Sequence, residues 1–419
     1  MTATTFSSLG IRNYRIYLIG QSISLCGTWM QRIAQAWLVL ELTGSGTAVG
    51  AVTALQYVPI MLLAPWGGVI ADRYDKRRIL YVTQTVIAIS AVVLGVLVLT
   101  DVIELWMVYL SALTLGLSSA FDTPTRQTFV LEMVGRDNVT NAVSLHSTLV
   151  NAARVVGPAI AGLIIVFVGI GWCFVIDGIS YLGLVIALLL MNPGELHLEE
   201  TPTRTPNQLV EGLQYVMATP AVRTPLILLA VAGLFAYEYQ VILPLFARFT
   251  FDGDARTFSW LTSAMGVGAV AGGLAVASRA NRPPVALART GLVFGGLQVL
   301  TSLTPSLPLA LAGLAVLGAA SVSFIAIGNS TLQLTAAPGM RGRVMGLYVV
   351  AFLGTTPLGG PLMGWIGEHL GPRLALAGGG LAVLIASILA LPGLREMGGT
   401  SPIGYRPNEP VRSRPDDLA

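Results

Sequence analysis

The chain has 419 residues, 54% hydrophobic and 11% charged, with a net charge of +3 and a mean hydropathy of +0.74. A soluble domain carries about 25% charged residues because its surface meets water, so this composition excludes a soluble protein and places most of the surface against lipid. So small a net charge gives no footing for nucleic-acid binding.

The N-terminal residues lack a short apolar core followed by a small-residue cleavage site, and the first apolar stretch runs on as a retained helix rather than a signal peptide. A membrane-crossing helix needs roughly 20 apolar residues at about 1.5 Å each. Twelve stretches qualify: 15–40, 47–70, 79–100, 104–122, 139–168 and 171–191, then 223–247, 257–278, 285–303, 308–330, 343–367 and 372–394. Lipid offers backbone groups no partners, and the period-two alternation of a barrel is absent, so the spans are helices. The expected organisation is a six-helix bundle over 1–192, a linker with a short amphipathic helix over 193–222, a second bundle over 223–395, and a disordered tail over 396–419.

Basic residues set the orientation. Among the connections, only those holding Arg248, Arg256 and Arg373 put Lys or Arg on one side. The other side collects Arg12, Arg15, Arg73, Lys76, Arg77, Arg78, Arg126, Arg136, Arg341, Arg343 and more. That side is expected to be the cytoplasm of a bacterium, with both termini there and the chain in the inner membrane.

Two short runs repeat across the halves. GPAIAG begins at Gly157 and GPLMGW at Gly360; GGVIADR begins at Gly67 and GGLAVAS at Gly272. The offsets, 203 and 205 residues, point to two matching halves in parallel relation.

After helix 2 comes Gly68-Val-Ile-Ala-Asp72-Arg73-Tyr-Asp75-Lys76-Arg77-Arg78. This resembles the signature loop of the major facilitator superfamily, which lies at this place in the topology. Asp75 departs from the family's usual glycine and leaves the tightness of the turn open. The resemblance implies an all-α fold of twelve helices in two pseudo-symmetric six-helix bundles. It also implies that Asp72 faces the start of helix 11. Lys76 and Arg77 would then pair with an acid near the inner end of helix 4, with Asp122 the expected partner, and latch the halves in an outward-facing state. Gly157, Pro158 and Gly162 resemble the family's antiporter motif in helix 5. The longer run from Gly20 to Gly50, with FDTPTRQTF from Phe121, is similar to the bacterial subgroup containing siderophore and drug exporters. That resemblance implies efflux of a small amphiphilic molecule.

A charge at mid-bilayer costs at least about 2.5–3.5 kcal/mol, so Arg32, Arg154, Asp177 and Glu238 are functional candidates. They sum to zero and are expected around one polar cavity. Desolvation penalises the charged form of a carboxylate, which lets an acid held there load and release a proton; Glu238 is the first expectation for that role and Asp177 the second. Arg32 and Arg154 would bind an anionic substrate or hold the acids ionised, and Gln31, Gln35, Trp29 and Tyr237 would line the pocket. Structural ion pairs and plain helix packing are the bland alternatives. No phosphate-cradling loop, metal-spaced Cys/His cluster or nucleophile–base pair is present, so no cofactor, metal or enzymatic activity is expected. The expected partners are a small molecule, protons and the bilayer, for a monomer. An importer, a sodium-linked carrier, and a non-transporting receptor or assembly protein stay open as alternatives.

Overall fold

The computed structural model describes residues 6–197, 208–277, 283–352 and 354–399. Helices α1 to α3 are Arg12–Thr43, Gly46–Arg73 and Lys76–Leu99. The helix Leu105–Phe167 is broken at Gly135, where φ is +69°, and its arms, 105–134 and 136–167, are α4 and α5. Helix α6 is Ile170–Leu190. A linker helix, Gln208–Ala218, precedes α7, Pro220–Thr250. Then follow α8 (Ala255–Ala277), α9 (Val285–Ser302), α10 (Leu307–Thr335), α11 (Arg341–His369) and α12 (Pro372–Gly399).

Ten described helices are long and apolar enough to cross a bilayer. Leu105–Phe167 counts once there and supplies two arms. With α1, which is diluted by Gln21, Gln31, Arg32 and Gln35, the rods number twelve, as the sequence predicts. Helix α10 runs to Thr335 rather than 330, and three further spans differ. Helix α4 runs twelve residues past the expected 122, because Phe129, Val130 and Met133 bury against Tyr14, Tyr17 and Leu80 in a small core of their own. Helix α7 is not continuous, as described below. Helix α12 runs to Gly399, since Leu394 to Met397 are good helix formers with no proline among them; the rest of the expected tail lies outside the described residues, as do 198–207 of the expected linker.

Small residues hold the rods together, as packing must where hydrophobicity drives nothing. The two halves use the same contacts. A Cβ at Gly67 on α2 would strike the Ala120 carbonyl of α4, and one at Gly272 on α8 would strike the Ala319 carbonyl of α10. Gly95 of α3 meets Gly171 of α6, and Gly295 of α9 meets Gly380 of α12. The repeated run at Gly67 and Gly272 therefore does the same packing task in each six-helix bundle, whereas the run at Gly157 packs on Trp29 of its own bundle and its counterpart at Gly360 packs on Gly50 of the other.

We call the side bearing the α2–α3 loop the basic face and the opposite side the far face. The bundles meet toward the far face. There Gly46 packs on Gly364, Gly50 on Gly360, and Gly162 on Ser259, while Trp37 stacks on Phe258 with centroids 6.3 Å apart. Toward the basic face, α5 carries Thr140, Ser144, Ser147, Thr148 and Asn151 at helical spacing, the first four exposed. Ser144, Thr148 and Asn151 each donate to a carbonyl four residues back on their own helix. A polar stripe of this kind has no place against lipid. The stripe climbs α5 from the basic face toward Arg154.

Candidate functional site

At the head of this stripe, Arg154 borders a cavity of about 250 Å³ between the bundles. Its walls include Trp29, Arg32, Thr53, Tyr57, Arg154, Tyr237, Glu238, Phe258, Thr262, Ser321, Phe352 and Thr356. Helices α1, α2 and α5 of one half and α7, α8, α10 and α11 of the other contribute.

Helix α7 breaks at this depth. Pro225 and Pro244 interrupt its ladder, and two π-type turns, Ala232–Ala236 and Phe246–Thr250, absorb the mismatch. Tyr237 and Glu238 leave the helical region (φ −97°, ψ 7° and φ −80°, ψ 39°). Irregular backbone at membrane depth survives only where it is buried in protein or lines a cavity. Here Gln298 of α9, fully buried, donates to the Ala236 carbonyl at 3.4 Å and the Leu376 carbonyl at 3.2 Å. Its own Oε1 accepts from the Tyr239 hydroxyl at 2.9 Å.

Glu238 sits at the break, 3% exposed. Thr356 lies beside the carboxyl group on the cavity wall, Oε1 has no partner, and a Cβ at Gly359 would come within 2.9 Å of that oxygen. The Gly359–Gly360 pair thus leaves the space the carboxyl fills. Tyr237 donates to the Ser321 carbonyl at 2.5 Å and presents its ring among Tyr239, Phe294 and Phe352.

Across the cavity, the guanidinium carbons of Arg32 and Arg154 lie 4.7 and 5.1 Å from the centroid of the Trp29 ring. Such contacts fix an arginine's position without neutralising it. Both Nε atoms are buried without a partner. Among the described residues neither arginine forms an ion pair. Gly157 admits this arrangement, since a Cβ there would press on the Trp29 Cβ; Pro158 is buried beside it and Gly162 packs on Ser259.

Not every expected residue reaches the cavity. Asp177 is fully buried on α6 against α1, where the missing Cβ of Gly27 leaves room for its Oδ1 at 2.5 Å; Ser180 Oγ lies 3.5 Å from Oδ1, and Oδ2 is unpartnered. It faces the seam of one bundle, not the space between bundles, and of the expected four charges it keeps only an electrostatic reach to Arg32. Gln31 and Gln35 are likewise buried off the cavity, and Gln35 accepts from Gln56 Nε2 at 2.9 Å.

The signature loop takes an unexpected set of partners. Asp75 caps α3, its Oδ1 accepting from the Arg77 and Arg78 backbone at 2.8 and 3.4 Å, so the departure from glycine supplies a cap. Gly68 is buried, Asp72 half-buried on the last turn of α2, and Arg73 exposed. Lys76 pairs with Glu132 at 2.6 Å, and Arg77 donates to the Leu188 carbonyl at 2.7 Å. Asp122, the expected partner, instead binds Arg126 at 2.6 Å and accepts from Thr83 and Gln84 at 3.0 and 2.7 Å. Arg126 also donates to Gln21 of α1. The extension of α4 explains the exchange: it carries Glu132 to the start of α3 and leaves Asp122 deeper, among the uncharged donors of α3.

The family of transmembrane secretion effectors matches residues 3–400. The chain belongs to that family of major facilitator transporters. The multidrug efflux pump Tap of Mycolicibacterium fortuitum is 28% identical over 88% of this chain and 93% of Tap. The enterobactin exporter EntS of Shigella flexneri is 25% identical over 92% of each chain. The staphyloferrin A transporter of Staphylococcus aureus is 28% identical over 58% of this chain, which spans 62% of that relative's length. A crystal structure of the peptide transporter POT with sulfate shares the fold, with a TM-score of 0.75 at 12% identity, over 93% of this chain and 95% of that one.

In this secretion effector, sequence reasoning missed Thr356, Gln298, Tyr57 and Phe258. Gln298 carried a signal, being a lone amide inside an apolar run. The others did not, because hydroxyls and rings inside membrane helices are common packing residues.

Proposed function

We propose that this secretion effector exports a small amphiphilic molecule in exchange for protons, by alternating access between its two bundles. Glu238 carries the reading: an acid with an unpartnered oxygen, at the break of α7, in a cavity between the halves. A carboxyl group shielded from water and beside irregular backbone is suited to take a proton in one state and give it up in another. The basic face is assigned to the cytoplasm by its excess of Lys and Arg, which places both termini inside, in a bacterial inner membrane, with the monomer as the working unit. The efflux pumps and siderophore transporters among the relatives support cargo moving outward. The test is accumulation of a fluorescent amphiphile in cells with and without the protein. Export gives lower retention when the protein is present, and a proton uncoupler erases the difference. Higher retention with the protein overturns the direction.

A further inference from the structure

Two permanent positive charges line the cavity beside Glu238; Asp177 reaches Arg32 only from the α1–α6 seam, and the unpaired state of both arginines carries information about the cargo. A guanidinium offers five N–H donors and does not lose its charge in proteins. Arg32 and Arg154 share the Trp29 ring, so their guanidinium carbons are no more than about 10 Å apart. Among the described residues neither makes an ion pair or a hydrogen bond, and Glu238 reaches neither of them in an ion pair. Arginines that only stabilise a bundle are paired, because an uncompensated charge away from water is costly. These two are held in place by an aromatic ring and left open toward the cavity.

We infer that the cargo is an organic anion, a carboxylate-bearing molecule with a small aromatic body, whose acid group bridges Arg32 and Arg154. Carboxylate geometry matches the guanidinium fork. The rest of the wall fits an aromatic body: Tyr57, Tyr237, Phe258 and Phe352 offer rings, with Ser321 and Thr262 as scattered polar groups. A volume of about 250 Å³ lies below the roughly 300 Å³ at which drug-sized pockets begin, so the body is one or two rings rather than a large scaffold. The polar stripe of α5 leads from the basic face to Arg154 and offers a charged solute a polar path. The inference rests on the export reading for the direction in which that anion moves.

The purified full chain in lipid nanodiscs is titrated calorimetrically with naphthoate and with naphthamide, which share a ring body and differ in charge. Naphthoate is expected to bind at least about tenfold more tightly than the amide. Arg32→Gln and Arg154→Gln should each weaken naphthoate about tenfold while leaving the amide unmoved. Arg154→Lys, which keeps the charge and loses the fork, should retain part of the affinity and shows that the effect is not misfolding. Equal affinity for acid and amide, no binding of naphthoate, or full naphthoate affinity in both glutamine variants overturns the inference. The export reading fails by a different result. Everted vesicles that bind naphthoate but never accumulate it under a proton gradient would sink export and leave the anion site standing.

Discussion

Glu368 on α11 accepts from both the backbone N–H and the hydroxyl of Thr47 on α2, at 3.0 and 2.8 Å. The Ser45 hydroxyl donates to the same oxygen at 2.7 Å. The carboxylate of one bundle therefore caps the first helix turn of the other, directly above the Gly46–Gly364 and Gly50–Gly360 contacts. A cap of this kind is worth about 0.5–2 kcal/mol, and because it joins the two bundles, the proposed alternating access would break it whenever the far face opened. Glu368→Ala should therefore shift the population toward an open far face by about fivefold, for a cap near 1 kcal/mol. Spin labels at Leu42 and Leu370, on a variant lacking Cys26 and Cys173, read this as a longer distance component. An unaltered distance distribution would show that the cap contributes nothing to closure.

Glu238→Gln keeps the volume of the side chain and removes its proton. Proton-driven efflux should be lost, while exchange of cargo against cargo across the membrane should persist, since that cycle needs no change in protonation. Protein levels in the membrane should match the parent. Efflux at the parent rate in this variant would remove Glu238 from the coupling.

The positions of Arg32, Arg154 and Glu238 along their helices are legible in the sequence, because a charge in an apolar run is too costly to be incidental. Which way a helix turns is not legible, and Asp177 shows the consequence. It sits at a suitable depth, but α6 presents it to Gly27 of α1 rather than to the other bundle. The twelve spans are likewise legible from apolar runs. The end of α4 is not, since DTPTRQTF reads as a polar loop until Phe129 is seen to close on Tyr17, with ring centroids 6.4 Å apart. Glu368 carries no sequence signal at all. It resembles any charge at a helix end, and only the approach of α2 gives it work.

Gln298 ties the broken α7 to α9 and α12. Gln298→Leu would leave the buried Tyr239 hydroxyl and Ala236 carbonyl short of partners, each such loss costing about 1–3 kcal/mol, and would remove a second bond to the Leu376 carbonyl, which the α12 ladder already engages. Tyr239→Phe removes one bond of the three. The thermal midpoint of the purified protein should thus fall clearly further for Gln298→Leu than for Tyr239→Phe. Equal falls would mean that the amide does not support the two carbonyls.

The partner of the signature loop is open to the most direct test. Lys76 and Glu132 are 14% and 12% exposed at the side chain, dry enough for a charge-assisted bond at 2.6 Å to outweigh screening. A double-mutant cycle of Lys76→Met and Glu132→Gln should show coupling of about 1 kcal/mol or more, the double variant being little worse than the worse single. The matching cycle of Lys76→Met with Asp122→Asn should be additive, because Asp122 already spends its oxygens on Arg126, Thr83 and Gln84. Coupling to Asp122 and none to Glu132, measured on thermal midpoints, would restore the pairing that the loop's resemblance implies. It would also mean that the α4 extension does not hold Glu132 against α3 in solution.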